Sequence, residues 1–355
     1  MSTRDVDVVI AVHDPRRPIE RAVGSALSNT AALRVTVVVH DTDPTPIEHR
    51  LGQMLDDPRV RVAHHADGVP SAAGPFNHGL EMSDAAFTAV MGSDDEVQAG
   101  AVDSWLRLAR RDGADVVVAR VRYARGPAVA TPVTRPLHRR GLDPVRDRLA
   151  YRSAPLGLVS RARFGDLRFA TGLAVGEDLS YVSRLWFSGA RVAYDRRGPA
   201  YLVHDDGAER VTMATRSIAT EFSYLDAVLD PWFDALDAAQ RSALVVKFLR
   251  VHVFGAVYNR RDERWWTTAE RSALASVASR LMEVGGGIQR VLSRRDRALL
   301  DLIVDVDAPV DMLIAAAIKR RSFAHPAALI PRHLPALLHR EAPLRFAAAS
   351  ALQLV

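Results

Sequence analysis

The sequence predicts an α/β protein, with a mixed, mostly parallel sheet flanked by helices and an all-α domain added at the C-terminus. Two observations predict it. Over the first 120 residues, short β-branched runs alternate with helical spacings, the pattern of a parallel sheet covered by helices. From about Thr215 onward the strand-like runs fade and apolar residues recur at helical spacing. A length of 355 residues suits two domains, expected over 1–213 and 214–355 with the boundary near Thr212 to Ser217.

Each element has a local reason. Asp7 to Val12 is almost wholly apolar and stops at His13-Asp14-Pro15, which reads as a buried strand and its turn. Ile19, Val23, Ala26 and Leu27 then fall on one helical face. Val35 to Val39, Val60 to Ala63, Phe87 to Met91 and Val116 to Ala119 read as further strands, and Ser71 to Met82 and the segment marked by Val102, Trp105, Leu106 and Ala109 as helices. Arg120 to Arg148 carries eight arginines and four prolines and reads as a long irregular excursion, partly β, whose arginines form a solvated loop or, alternatively, an acceptor cradle for a phosphate-rich polymer or lipid-linked carrier. A helix from about Asp178 to Ser188 and a strand over Arg191 to Tyr194 follow. Beyond them, Asp226 to Ala238, Ala239 to Tyr258, Thr268 to Val284, Arg294 to Val304 and Val310 to Lys319 look helical, with a break at Gly285-Gly286-Gly287. His64-His65 read as loop residues, and Trp265-Trp266 as core or interface.

Composition excludes several classes. Hydrophobic residues make up 48% and charged residues 25%, ordinary for a globular protein. There is no cysteine, hence no disulfide framework and no thiolate nucleophile or ligand. Met1 to Asp7 is polar and charged, unlike a signal peptide, and no apolar run reaches the ~18 residues of a membrane span. The expected location is the cytoplasm, with the inner membrane face as a docking surface. The net charge of +5 comes almost entirely from arginine, since Lys247 and Lys319 are the only lysines. No nucleic-acid-binding motif accompanies it, so an anionic substrate or membrane face is the better use of the charge. There is no G-x-G-x-x-G, P-loop, G-x-S-x-G elbow or H-E-x-x-H.

What remains is acid at strand ends: Asp41, Asp94-Asp95, and Glu177-Asp178 before a later helix. Ligands bind outside the carboxyl ends of parallel strands. Carboxylates gathered there repel one another unless a cation joins them, which points to Mg²⁺ or Mn²⁺ and a phosphate-bearing substrate. Singly, each acid has a plainer explanation: Asp41 as a turn residue, the two pairs as helix caps.

Their order along the chain resembles that of family 2 glycosyltransferases. The stretch VDVVIAVHDPRRPIERAVGSAL is similar to the family's opening strand, turn and helix, and VTVVVHDTD to its second strand and acidic turn. VRVAHHADGVPSAAGPFNHGLEMSDAAFTAVMGSDDEVQAGAVDSWL resembles the run through the third strand to the D-x-D region. GLAVGEDLSYVSRLWFSGARVAY resembles the later G-E-D helix, and YLVHDDGAERVT the loop that closes over donor phosphates. The resemblance covers roughly residues 5–213. Two departures stand out: Gly92 replaces the first acid of D-S-D-D, and Gly74-Pro75-Phe76 replaces an arginine before Asn77.

The resemblance implies a GT-A, Rossmann-like fold and an inverting transfer from a UDP- or TDP-sugar to an acceptor hydroxyl of a glycan, polymer or lipid-linked carrier. It implies Asp94 as the ligand of Mn²⁺ or Mg²⁺, with Asp95 and His204 as helpers. Donor contacts are implied at Ala11, His13, Asp14, Asp41, Asn77, Ser93 and Asp94, with Arg210 clamping phosphate. Asp178 is the implied general base and Glu177 orients the acceptor; a carboxylate at a helix N-terminus is favoured in its ionised form. Gly92 motivates an alternative, a GT-A-like binding or assembly module without catalysis. A nucleotidyltransferase is disfavoured, because the first loop lacks the Gly- and Arg/Lys-rich composition that holds a triphosphate. The C-terminal helices are expected to mediate self-association or docking.

Overall fold

Branched side chains favour extended backbone and pack well on a pleated surface, and they dominate the strands that open this chain. The computed structural model describes residues 4–136, 138–204 and 215–354. β1 (Val6–Val12), β2 (Leu33–His40), β3 (Val60–His65) and β4 (Phe87–Gly92) run parallel in the order β3-β2-β1-β4. β1 and β2 are buried nearly throughout, as strands covered on both faces must be. Register sets their carboxyl ends level: Val12 faces Val39, Ala11 faces Gly92, and His40 faces His65. His65 therefore closes a strand, where the sequence suggested a loop.

β8 (Gly157–Ser160), β6 (Val116–Ala119) and β9 (Val192–Asp195) complete a seven-stranded sheet, in the order β3-β2-β1-β4-β8-β6-β9. β8 is antiparallel to both neighbours. A small second sheet, β5 (Glu96–Val97), β10 (Tyr201–Val203) and β7 (Val121–Tyr123), lies beyond the end of β4. β5, β8 and β10 have at most four residues each, too few for a periodicity to register.

The helices of this unit are α1 (Ile19–Leu27), α2 (Thr45–Leu51), α3 (Ala73–Glu81), α4 (Ala101–Asp112), α5 (Arg161–Phe164) and α6 (Glu177–Phe187). On α1, Ile19, Ala22, Val23 and Ala26 are buried on one face. Each large side chain so buried contributes roughly 1.5–3 kcal/mol. α3 lies so close to β1 that a Cβ on Gly79 would come within 2.3 Å of Val9 Cγ1.

The chain divides into two units: 1–129, 137–143 and 152–214 in the first, and 130–136, 144–151 and 215–355 in the second. The arginine-rich excursion is therefore shared out between them and is not simply solvated. Arg135 pairs with the fully buried Asp147 at 2.7 Å, and the buried Arg148 donates to the carbonyls of Val133 and Arg340 at 3.2 and 3.1 Å. The expected helix over 226–238 is broken instead. Leu225–Val228 and Pro231–Asp234 are separate turns, since Asp230 caps the second and Pro231 cannot donate to the first. Thr268–Gly285, Arg294–Val304 and Val310–Arg320 form as expected. Gly286 and Gly287, at φ 52° and 81°, supply the left-handed break.

In this second unit Asp296 is buried between Arg320, at 2.5 Å, and Arg250, at 3.4 Å. Burial alone would raise its pKa, but the two guanidinium groups outweigh it and hold the pKa below the usual value. A depressed carboxylate pKa stabilises the fold above the unfolded value of about 3.9, and that contribution is lost as pH falls through the folded value. Asp296→Asn is expected to cost about 3–5 kcal/mol at neutral pH, because two buried cations lose their partner. Urea midpoints of the two proteins should draw together as pH falls below about 4.

Candidate active site

After β4 the sequence Gly92-Ser93-Asp94-Asp95 turns the chain into β5, and Tyr201 of β10 fixes that turn. Its buried hydroxyl accepts from the Gly92 N–H at 3.0 Å and donates to Asp95 Oδ2 at 2.6 Å. Burial and the neighbouring Asp95 carboxylate push the Tyr201 pKa well up, so the phenol stays a neutral donor. The His204 N–H donates to Asp95 Oδ1 at 3.2 Å. Burial raises the Asp95 pKa, and the Tyr201 hydrogen bond opposes that rise. Ser93 is buried within the turn.

The turn also accounts for Gly92. A Cβ there would stand 2.8 Å from Asp95 Oδ2 and 3.2 Å from Asp94 Oδ1. A side chain at position 92 would crowd both carboxylates, each of which presents an oxygen to one spot. Oxygen donors of this kind suit Mg²⁺ or Mn²⁺, which commonly take one or two carboxylates plus substrate phosphate. A cationic group already faces Asp94: Arg17 Nη1 donates to its Oδ2, and Arg21 Nη2 to its main-chain oxygen. No base adjoins Asp94 in the sequence, yet the turn after β1 brings two. His204 points its ring at Glu96, with Nε2 3.1 Å from Oε2, while its main-chain N–H meets Asp95.

Helix capping explains neither acidic pair. No helix starts at Asp94 or Asp95, since α4 begins at Ala101 with Gly100 as its N-cap. The N-cap of α6 is Gly176, at φ 79°, which leaves the half-buried Glu177 and Asp178 in the first turn. That turn is anchored from behind. Asn77 donates to the Phe169 carbonyl at 3.0 Å and accepts from its N–H at 2.8 Å. The Phe169 ring stacks on Tyr181 of α6 with centroids 4.3 Å apart. Asn77 thus ties α3 to the main chain ahead of α6. Asn77→Ala should cost about 2–3 kcal/mol, the scale for leaving buried partners unsatisfied. It should leave the donor KM within about twofold; urea unfolding and initial rates measure both.

At the other expected positions, Ala11 is a main-chain member of β1 between Val38 and Gly92. His13 is exposed in the following turn, and Asp14 is held by Arg16 at 2.8 Å. That hydrogen bond lowers the Asp14 pKa to about 2. Asp41 is a strained turn residue at φ 47°. Its Oδ1 accepts from the Asp67 N–H at 3.1 Å and its Oδ2 lies 3.1 Å from His40 Nε2. The carboxylate thus ties the turn after β2 to the one after β3. Arg210 lies outside the described residues. Among the described residues, the histidine and carboxylate atoms that draw together as a metal could require are those of His40, His65 and Asp67, at the ends of β2 and β3.

Arg17, Arg21, Tyr201, His40 and Asp67 were not anticipated. The one signal for the arginines was their spacing of four after the first strand. A groove of ≈ 620 Å³ beside the turn is lined by Glu96, Arg120, Arg197 and Leu202.

The glycosyl transferase family 2 model matches residues 7–163. This stretch is a family 2 glycosyltransferase domain. The mixed, mostly parallel sheet with its flanking helices has the GT-A fold. Staphylococcus aureus TarS 1–349 in complex with UDP-GlcNAc is similar in structure, with a TM-score of 0.74 at 15% identity over 89% of this chain and 91% of that one. The same fragment with UDP gives 0.71, at 15% identity over 89% and 91%. Full TarS gives 0.70, at 14% identity over 89% of this chain and 55% of TarS. At such identity these likenesses speak for the fold alone. No curated protein matches the chain by sequence. Among the described residues, no helix is long and apolar enough to cross a membrane.

Proposed function

We propose that this chain is an inverting, metal-assisted glycosyltransferase that uses a nucleoside diphosphate sugar. The observation that carries the reading is the pair of carboxylates Asp94 and Asp95 at the carboxyl end of β4 in a family 2 domain, with Arg17 and Arg21 beside them. Uridine is the favoured base of the donor, because structures of the similar TarS carry UDP-GlcNAc and UDP; a TDP-sugar is the second choice. Ala11, His13, Asp14 and Ser93 border the place of the nucleotide, and Asp94, with Asp95, would hold Mn²⁺ or Mg²⁺. When bound, the ion offsets charge on the departing diphosphate. Arg17 and Arg21 are placed to take over part of that charge.

The transfer is a single displacement. The acceptor oxygen forms a bond to the anomeric carbon as the bond to the diphosphate oxygen breaks, and the diphosphate leaves with the electron pair. The acceptor proton passes to Asp178, while Glu177 orients the acceptor. No covalent intermediate is formed, so no second nucleophilic carboxylate is required. The acceptor is a hydroxyl of a glycan, polymer or lipid-linked carrier, and Arg120 and Arg197 in the adjoining groove favour one bearing phosphate.

Retention of Asp94, Asp95, Glu177 and Asp178 favours catalysis over a binding or assembly module. A panel of UDP- and TDP-sugars, assayed for donor hydrolysis with Mn²⁺ and with excess chelator, tests the reading. Hydrolysis of one donor is expected, falling at least about 100-fold in chelator. Full turnover in chelator would reject the metal, and no turnover of any donor would reject the transfer.

A further inference from the structure

On the other side of β1 from Asp94, the parallel register of β2 and β3 sets His40 directly opposite His65, each the last residue of its strand. The turn that follows β3 returns Asp67 between them. His40 Nε2 lies 2.9 Å from Asp67 Oδ1, His65 Nε2 lies 3.2 Å from Asp67 Oδ2, and His40 Nε2 lies 3.1 Å from Asp41 Oδ2. We propose that His40, His65 and Asp67, with Asp41 as fourth ligand, form a binding site for a divalent transition-metal ion of the Zn²⁺ class.

Distances support this. A tetrahedral ion with arms of about 2.0–2.1 Å holds its ligand atoms about 3.3 Å apart. Three of the contacts already lie at 2.9–3.2 Å, and the donor atoms of His40, His65 and Asp67 all fall within 4.8 Å of one another.

Charge supports it too. In a chain this rich in arginine, carboxylates such as Asp7, Asp94, Asp147 and Asp296 are met by guanidinium groups. Among the described residues, the ion-pair partners of Asp41 and Asp67 are imidazoles only. Two carboxylates with two neutral imidazoles carry a formal charge of about −2, which one divalent ion balances.

The surroundings are shaped to the cluster. His40 is buried, and His65 is sandwiched between the His40 and His78 rings, at 5.7 and 5.2 Å, so the imidazoles are held in place. α3 passes close to the cluster at Gly74. A Cβ there would come within 2.2 Å of Asp67 Oδ2 and 2.9 Å of His65 Nε2. Mixed nitrogen and oxygen donors favour Zn²⁺, Co²⁺ or Ni²⁺ over Mg²⁺, which demands oxygen. The site is thus separate in place and in chemistry from the ion proposed at Asp94, and does not depend on that proposal.

Full-length protein stripped with chelator should be titrated with Co²⁺, following the visible d–d band of a tetrahedral site and the bound metal by equilibrium dialysis. One equivalent is expected, displaced by Zn²⁺ and not by excess Mg²⁺. His65→Gln and Asp67→Asn, both partly exposed and checked for folding by circular dichroism, should each weaken binding at least about 10-fold. Asp94→Asn should leave the band unchanged. Absence of the band in the parent protein overturns the site, as does equal binding by both cluster variants. Loss of the band in Asp94→Asn overturns it as well, since the ion would then belong to the other carboxylates.

Discussion

Asp94→Asn is expected to lower sugar transfer at least about 100-fold, the scale for removing one preorganised charge-stabilising group. The change keeps the shape of the side chain and an oxygen that can still accept from Arg17, so the turn survives. What it removes is the negative charge that would hold the ion against the donor diphosphate. Arg17 sits only 11% exposed beside a carboxylate 15% exposed, so some stability depends on the pair. For such a partly buried pair the loss should stay below the 3–5 kcal/mol of a fully buried one. Thermal unfolding separates the two effects: a folded Asp94→Asn protein with low turnover supports the assignment. Near-normal transfer by that variant would move the metal ligand elsewhere, with Asp95 as the next candidate.

The sheet was legible because its strands are long and buried on both faces. β1 and β2 are predominantly apolar, and α1 and α4 carry their apolar residues on one face. Three short strands were not legible, since β5 has two residues and draws its stability from β10, which is more than 100 residues away. The acids at strand ends were readable as types but not as contacts. Sequence neighbours of Asp94 include no base, and it took the turn after β1 to bring Arg17 against it. Asn77 matched a family position, yet its amide is directed to the Phe169 main chain, a partner 92 residues on. His40 and His65 seemed unrelated along the chain because parallel pairing joins residues that the sequence keeps apart.

Asp178→Asn is expected to reduce transfer by about 100-fold or more while donor binding and folding persist, the usual scale for losing a general base. Glu177 and Asp178 are consecutive in the first turn of α6, and consecutive helical residues point in different directions. Both are therefore not expected to face one acceptor hydroxyl. Loss of a helix cap would be the plainer account of any effect, at about 1 kcal/mol of stability. The N-cap of α6 is Gly176, which has no side chain to lose, so that account does not apply to Asp178. A carboxylate need not be a strong base here, because the acceptor hydroxyl becomes acidic only as it bonds to the anomeric carbon. Asparagine keeps the size and polarity of the residue and removes only its capacity to take the proton. Donor hydrolysis and donor affinity should then change little, and the loss should fall on turnover with acceptor present. If Asp178→Asn transfers at a near-normal rate and Glu177→Gln does not, the two acids exchange roles. If neither matters, the base lies outside α6.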